Sequence, residues 1–226
     1  MSVCVVLMVK SKARMWWLLL FGAVGDDHPG CTVIGSNNTI GYHAVIGVKC
    51  QDMKYKVIGN ANFIMGSCHI THDCKIGNNN ILANNTLLAG HVEVEDYVHT
   101  AGVTVVHQFS HLGSFSFLGG GSVVSQDVPK YMMAAGERAE LRGLNLVGLT
   151  RCGFSVAEIR SMRAAYRKIF MCVDANAVSL EERLAEVEQH EELVHVPAMR
   201  AMLQSIRNSF AENRRGICKF RHWNAS

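Results

Sequence analysis

The sequence predicts a mainly β protein, a parallel β-helix of hexapeptide repeats followed by a small helical domain. An aliphatic residue returns at every sixth position from Ile34 to Val124, and only Asp52 and Thr100 interrupt the series. A period of six fits neither an α-helix nor a long alternating strand, but it is typical of a β-solenoid. Three such units would make one triangular coil of about 18 residues.

Other places in the repeat agree with this prediction. Glycine often follows the aliphatic residue, and asparagine clusters at the expected corners, where both residue types tolerate the positive φ of a tight turn. The fifth place of the unit is often small and should share the interior with the aliphatic stack, as at Ala44, Cys50, Cys68, Cys74, Thr86, Thr104 and Ser122.

Changes of pattern divide the 226 residues into four segments. Residues 1–25 contain basic but no acidic residues and an apolar run of ten, where about 20 are needed to cross a bilayer, so we interpret them as a leader and possible targeting segment. Residues 26–135 form the predicted β-helix. A connector over 136–153 leads to a C-terminal helical domain over 154–226.

Sequence signals for helix starts support the prediction that residues 154–226 are helical. Ser155 with Glu158, and Ser179 with Glu182, have the spacing of capping boxes that begin helices. A third helix is expected from Pro197 to about residue 212. On the first helix, one face carries a basic stripe that could bind an acidic partner or be an ordinary solvated face: Arg160, Arg163 and Arg167, with Lys168 adjacent.

Composition sets limits on the class of function. The net charge of +3 gives no sign of a nucleic-acid partner, and no stable membrane insertion is expected. The eight cysteines lack the paired CxxC spacing of zinc or redox sites, so free buried thiols are expected rather than disulfides.

Three histidines fall at one corner of the predicted prism. Counted by eighteen, His72, His91 and His107 occupy neighbouring places on three successive coils, and His69 lies just before the first of them. Coils are about 4.8 Å apart, so the column spans roughly 10 Å. Corner side chains point outward, so we expect this column to meet a ligand or a neighbouring subunit. The same count places Lys54 one coil from His72.

A metal site is the alternative interpretation of these histidines. The stretch from Cys68 to Cys74 holds two cysteines and two histidines, but both cysteines occupy the inward place of the repeat, so zinc held by thiolates is disfavoured. A zinc held by His72, His91 and His107 is the more credible metal site. The remaining solenoid histidines are interpreted as ordinary surface residues: His43, His99 and His111.

The chain resembles the UDP-N-acetylglucosamine acyltransferases, hexapeptide-repeat enzymes that begin lipid A synthesis. The resemblance runs from about Gly25 to Phe220 and is closest to the plant members. It is carried by CQDMKY (50–55), HITHDCKIGNNNILANNTLLAGH (69–91), VVHQF (105–109), SQDVPKY (125–131) and LNLVGLTRCGF (144–154). The family implies a homotrimer of left-handed β-helices with the site between subunits. Plant members imply a mitochondrial location, and bacterial members a cytoplasmic one.

The resemblance also implies roles for individual residues. His72 would be the general base, Asp73 would orient its ring, and the backbone amide of Gly90 or His91 would stabilise the oxyanion. The acyl donor would be acyl carrier protein with its phosphopantetheine arm, without another cofactor or a metal. The expected substrate contacts are Asp52, Lys54 and Asn145 for the nucleotide sugar, Arg151 for phosphates, His69, His91, His107 and Gln108 for the sugar and acyl pocket, and Gly120 for acyl chain length.

Two departures from the family pattern leave other functions open. After Tyr55 the family has most of two further coils, and Val147 stands where it has an acidic residue. A catalytically silent solenoid that serves as an assembly subunit would fit the loss of nucleotide-facing coils. A γ-carbonic anhydrase-like zinc lyase would use the three histidines, and acetyl transfer from acetyl-CoA would share the reaction type.

Overall fold

The structure is a computed structural model that describes residues 9–11, 16–17, 23–24, 32–47, 56–171, 179–189 and 196–220. Its strands form three sheets that stack along one axis, which confirms the predicted β-solenoid. Sheet A contains β3 (Ala23–Val24), β6 (Val45–Ile46), β9 (His69–Ile70), β12 (Leu87–Leu88), β15 (Val105–Val106) and β18 (Val123–Val124). Sheet B contains β1 (Val9–Ser11), β4 (Thr32–Ile34), β7 (Lys56–Ile58), β10 (Lys75–Ile76), β13 (Glu93–Val94) and β16 (His111–Leu112).

Sheet C closes the third face and continues into the C-terminal part. It contains β2 (Trp16–Trp17), β5 (Thr39–Ile40), β8 (Phe63–Ile64), β11 (Ile81–Leu82), β14 (His99–Thr100), β17 (Phe117–Leu118), β19 (Met132–Ala135) and β20 (Glu140–Leu144). All pairs are parallel except the β19–β20 pair. The expected leader thus gives one short strand to each sheet, through β1, β2 and β3.

Three corners join the sheets, and several of the candidate site residues lie at them. Corner AB links sheet A to sheet B through residues 71–74, 89–92 and 107–110 of successive coils. Corner BC lies at 77–80, 95–98 and 113–116, and corner CA at 83–86, 101–104 and 119–122.

The eighteen-residue count holds for the upper coils and fails at the first complete one. Ile58 pairs with Ile76, as counted, but Ile46 pairs with Ile70, which is 24 residues later. The connection from β6 to β7 is therefore one hexapeptide longer than the other AB corners. Lys54, predicted to lie one coil from His72, falls outside the described residues, so this prediction is not tested. An insertion of six residues preserves a six-residue rhythm, which is why the sequence pattern did not reveal it.

The interior is built as the repeat predicts. The aliphatic residues from Ile34 to Val124 are buried, and so are the described small residues of the fifth place. Thr100, which interrupts the aliphatic series, is also buried, and its hydroxyl lies 2.7 Å from that of Thr86 on the preceding coil. A polar residue is stable there because its neighbour is a hydrogen-bonding partner.

Four helices follow the solenoid: α1 (Leu146–Arg151), α2 (Val156–Phe170), α3 (Leu180–Glu188) and α4 (Pro197–Asn208). Both predicted capping boxes are present, at Ser155 and Ser179. The stretch expected as a connector contains β20 and α1. None of the described helices combines the length and apolar character needed to cross a bilayer.

The last helix ends earlier than predicted because the chain turns back to the solenoid. After α4, Asn213 and Gly216 adopt positive φ, and Ile217 forms a parallel bridge with Asp127. Arg214 fixes this return segment through an ion pair of 2.8 Å with the buried carboxylate of Asp127. Residues far apart in sequence are thereby brought beside corner AB.

Candidate active site

The centre of the candidate site is a carboxylate between two imidazoles at corner AB. Oδ2 of Asp73 lies 3.0 Å from Nδ1 of His72 and 3.7 Å from Nε2 of His91. The two rings meet edge to face with their centroids 5.1 Å apart. Asp73 is buried, while about a fifth of the His72 side chain and a quarter of the His91 side chain are accessible. The rings can therefore meet a ligand while the carboxylate is shielded from water.

The local fold explains this convergence. Asp73, His91 and Phe109 occupy the same place on successive coils, and all three adopt a left-handed backbone with φ of 57°, 59° and 63°. The amide of His91 donates to the carbonyl of His72 at 3.0 Å, and the amide of Phe109 donates to that of Gly90 at 3.2 Å. Side chains of one place therefore lie above one another at the spacing of a sheet.

Gly90 lies directly against the imidazole of His72, the predicted general base. A Cβ at this position would lie 2.3 Å from Cε1 and 2.4 Å from Nε2 of His72. Glycine is thus required for the imidazole to pack closely against the backbone of the next coil. Of the two amides predicted to stabilise an oxyanion, that of His91 is already used in a backbone hydrogen bond, whereas among the described residues the Gly90 amide has no backbone acceptor.

Sequence reasoning gave Phe109 no role, yet its ring stacks on His91 with centroids 4.6 Å apart and planes 8° apart. The signal was available, because residue 109 follows residue 91 by one coil of eighteen. His107 and Gln108 precede it at the same corner and are exposed. His69 is exposed on strand β9, beside the corner.

A second group of residues lines the other side of Asp73. Sequence reasoning missed this group. A cavity of about 200 Å³ lies between the carboxylate, His91, Phe109 and Arg214 of the return segment. Lys75 and Glu93 complete its charged wall and pair with each other at 2.6 Å. No local sequence pattern relates residue 214 to residue 73, because only the C-terminal fold brings them together.

The other predicted substrate residues lie elsewhere on the prism. Gly120 is exposed at corner CA, and a Cβ there would come no closer than 3.4 Å to the carbonyl oxygen of Gly102. Asn145 caps helix α1 by accepting from the Gly148 amide, and its side-chain nitrogen donates to the carbonyl of Phe115 at corner BC. One chain alone therefore does not bring these residues to His72.

Arg151 lies at the exposed end of α1, near sheet C. Partial burial lowers the pKa of His99 on that sheet, and the positive charge of Arg151 lowers it further. Asp52 and Lys54 fall outside the described residues, so their predicted contacts with the nucleotide sugar stay predictions.

The prediction that His111 is an ordinary surface histidine is wrong. Its Nε2 lies 2.9 Å from Oε1 of Glu95, and the same carboxylate accepts from Lys130 and from Ser114. Burial alone would raise the pKa of Glu95, but the hydrogen bonds from these three residues outweigh it and hold that pKa well below the ordinary value for Glu.

The two cysteines beside the histidines face the interior of the coil. Cys68 and Cys74 are buried, and their sulfurs approach the carbonyl oxygens of Ala83 at 3.1 Å and Ala89 at 3.2 Å inside the coil. Burial raises the pKa of the Cys68 thiol. Both observations disfavour zinc held by thiolates. Among the described residues, the group with metal-ligand spacing is His72, Asp73 and His91, and His107 is not part of it.

Comparison with known proteins gives the family. The chain is 62% identical over 238 aligned residues to the probable mitochondrial acyl-[acyl-carrier-protein]–UDP-N-acetylglucosamine O-acyltransferase of Arabidopsis thaliana, a match that covers 91% of this chain and 71% of the relative. The chain belongs to the UDP-N-acetylglucosamine O-acyltransferase family. The family model for domain 2 of this acyltransferase matches residues 127–218, and a model of bacterial transferase hexapeptides matches residues 55–90.

Further members of the acyltransferase family support the assignment. The acyltransferase of Burkholderia orbicola is 39% identical, over 72% of this chain and 61% of its own length. The crystal structure of the Arabidopsis UDP-N-acetylglucosamine acyltransferase superposes with a TM-score of 0.81 at 61% identity, over 89% of this chain and 81% of that chain. LpxA from Acinetobacter baumannii superposes with a TM-score of 0.77 at 33% identity, over 88% and 77% of the two chains.

Proposed function

We propose that this chain performs the reaction of its family and transfers a 3-hydroxyacyl group from acyl carrier protein to the 3-hydroxyl of UDP-N-acetylglucosamine. This is the first step of lipid A biosynthesis. The observation that carries the proposal is the His72–Asp73 pair at 3.0 Å on an accessible corner, with Gly90 against the imidazole. The named activities of the plant and bacterial relatives supply the reaction and its substrates.

His72 acts as the general base. Asp73 binds Nδ1, which leaves Nε2 free to take the proton of the sugar hydroxyl as its oxygen attacks the thioester carbonyl. The tetrahedral intermediate then collapses, the carbon–sulfur bond breaks, and the imidazolium returns the proton to the departing thiolate of phosphopantetheine. Such a base contributes about 10²- to 10⁴-fold to the rate.

The amide of Gly90 is the proposed oxyanion donor. It is the donor beside His72 that no coil-to-coil backbone hydrogen bond engages among the described residues. A preorganised donor aimed at the developing oxyanion contributes on the order of 3 kcal/mol. The acyl group arrives on acyl carrier protein, and the proposed reaction needs no other cofactor.

The positions of the remaining residues favour a site shared between copies of the chain. His72 lies at corner AB, Gly120 at corner CA, and Asn145 near corner BC. Two corners of a rigid prism cannot approach each other, so a substrate that meets all of these residues must lie between neighbouring molecules. A closed homotrimer satisfies this requirement with one type of interface.

Exposed apolar side chains support this assembly. Phe63 and Ile81 project from sheet C, Leu87 projects from sheet A, and Val103 lies at the corner between them with 60% of its surface accessible. Apolar residues on two adjoining faces and their shared corner are typical of a subunit interface. Sheet B exposes Val33 and Val57 on its first strands and presents the polar residues Lys75, Glu93 and His111 on the strands that follow.

A basic groove on the helical part is the proposed dock for acyl carrier protein. A cavity of about 320 Å³ is lined by Arg142, Arg163 and Arg167 above the apolar side chains of Tyr166 and Phe170. Acyl carrier proteins are acidic, so opposite charges would steer the donor to this face. Of the predicted stripe, Arg163 and Arg167 line this groove, whereas Arg160 and Lys168 are not among its lining residues. Sequence reasoning missed Arg142 because it lies on β20.

We also propose a mitochondrial location, which the name of the Arabidopsis relative supports. The roles of Asp52 and Lys54 in nucleotide binding and of Gly120 in chain length remain part of the same proposal. Gly120 is exposed at corner CA, and a Cβ there would make ordinary contacts with Gly102 and Ala101.

The deciding experiment supplies purified chain with UDP-N-acetylglucosamine and a 3-hydroxyacyl carrier protein and measures acylated nucleotide sugar. His72→Ala should abolish the product, while Arg200→Ala, on the exposed surface of α4 and outside the proposed site and interface, should retain it. Absence of product from folded wild-type protein would refute the proposal and favour the silent solenoid. Carbonic anhydrase activity would instead support a zinc lyase, and acyl transfer from acetyl-CoA would support an acetyltransferase.

A further inference from the structure

The proposed catalytic pair, His72 and Asp73, belongs to a cluster of side chains that has the spacing of metal ligands. One ligand atom from each of His72, Asp73 and His91 lies within 4.8 Å of the other two, and the described chain has no other group of this kind. We propose that these three residues bind a zinc ion that inhibits the enzyme. The ion would replace the proton that His72 and Asp73 share.

The donor types and distances fit this ion. Zinc prefers imidazole nitrogen and carboxylate oxygen at about 2.0–2.2 Å in tetrahedral geometry, which places ligand atoms roughly 3.3 Å apart. Oδ2 of Asp73 lies 3.0 Å from Nδ1 of His72 and 3.7 Å from Nε2 of His91, so these two separations bracket the required value. The third separation is the one between the ligand nitrogens of His72 and His91. The imidazoles are partly accessible, so small ring rotations can shorten it.

A second observation points independently to a cation. Oδ1 of Asp73 is buried and has no hydrogen-bond partner among the described residues. A buried carboxylate oxygen without a donor is costly, and a divalent cation beside the carboxylate would offset that cost. The left-handed backbone of Asp73 and the stacking of Phe109 on His91 hold the two ligands on adjacent coils.

Zinc binding would silence the catalytic base. The ion would take the carboxylate that orients His72 and would hold the imidazole as a ligand, so the ring could no longer accept the proton of the sugar hydroxyl. This consequence rests on the proposed acyl transfer, whereas metal binding itself does not. The two parts can therefore be tested separately.

The binding test titrates the full chain with zinc chloride in a calorimeter and with cobalt chloride in a spectrophotometer. We expect one ion per chain and a cobalt spectrum of tetrahedral type. His91→Gln and Asp73→Asn should each weaken zinc binding by at least about tenfold. His107→Gln is the matched control at the same corner and should bind zinc as the wild type does.

Three results would overturn binding at this site. They are the absence of saturable binding by the wild type, unchanged affinity in both His91→Gln and Asp73→Asn, and an equal loss in His107→Gln. Because the cobalt spectrum is measured on the wild type, the test does not depend on the variants folding.

The activity test adds zinc to the acyl transfer assay and then removes it with a chelator. Reversible inhibition at the zinc concentrations that saturate the site would support the inhibitory role, and full activity of the zinc-bound enzyme would refute it. If the chain shows no acyl transfer at all, the proposed function fails, and the binding test still decides whether the ion binds.

Discussion

Gly90 and His72 lie in contact across adjacent coils, so closely that a Cβ on residue 90 would be 2.3 Å from the imidazole Cε1. The same glycine supplies the backbone amide proposed to bind the oxyanion. One position therefore serves two needs, since a side chain would displace the base and block the space above the donor. The ring of His72 is fixed from one side by Gly90 and from the other by Asp73.

Gly90→Ala should therefore damage catalysis more than stability. The methyl group must push the imidazole away, and a displacement of about 1 Å can cost on the order of 10²-fold in rate. We expect a fall in kcat of this size with correctly folded protein by circular dichroism. Arg200→Ala, on the exposed surface of α4 and outside the proposed site and interface, is the control. Full activity in Gly90→Ala would contradict the arrangement.

Mixed assemblies test whether the site is shared between subunits. His72→Ala and Arg151→Ala should each be inactive alone, because they remove the proposed base and a proposed substrate contact on different parts of the prism. If a site takes one residue from each of two neighbours, refolding the variants together at equal amounts should restore about a quarter of the wild-type sites. The measurement is acyl transfer after co-refolding. Activity that stays at the level of the single variants would show that each site lies within one chain.

Charge reversal in the basic groove tests the dock for acyl carrier protein. Arg163→Glu combined with Arg167→Glu should raise the KM for the acyl carrier protein at least about tenfold, since two attractive charges become repulsive. The KM for UDP-N-acetylglucosamine should be unchanged. The defect should shrink at high salt, because screening weakens exposed charges. Arg200→Glu, on the exposed surface of α4, is the control. A defect that is equal for both substrates would contradict the assignment.

The Glu95 network should make stability depend on pH. Its pKa is depressed in the folded chain, so its contribution is present above the pKa of the unfolded chain, about 4.3, and is lost as the pH falls further. Glu95→Gln should therefore lower the free energy of unfolding by about 2 kcal/mol at neutral pH. The difference from wild type should shrink below about pH 4. Urea titrations at both pH values measure it, and a pH-independent difference would refute this account.

The sequence by itself determined the solenoid and the pairing of His72 with Asp73, the proposed catalytic pair. A strand of two residues points its first side chain outward and its second inward, so the period of six predicts the buried stack without knowledge of distant contacts. His72 and Asp73 are adjacent in the chain, and their corner position follows from the same count. The capping boxes at Ser155 and Ser179 were equally predictable, because each depends on residues within one turn.

Only the tertiary structure decided the pairing of coils and the surroundings of the site. An insertion of six residues and a repeat of six leave the same rhythm, so the longer connection before Val57 is visible only from the pairing of Ile46 with Ile70. Arg214 reaches the cavity beside Asp73 through an ion pair with Asp127, 87 residues away in sequence. Such contacts depend on how separate elements pack, and a local periodicity carries no information about that packing.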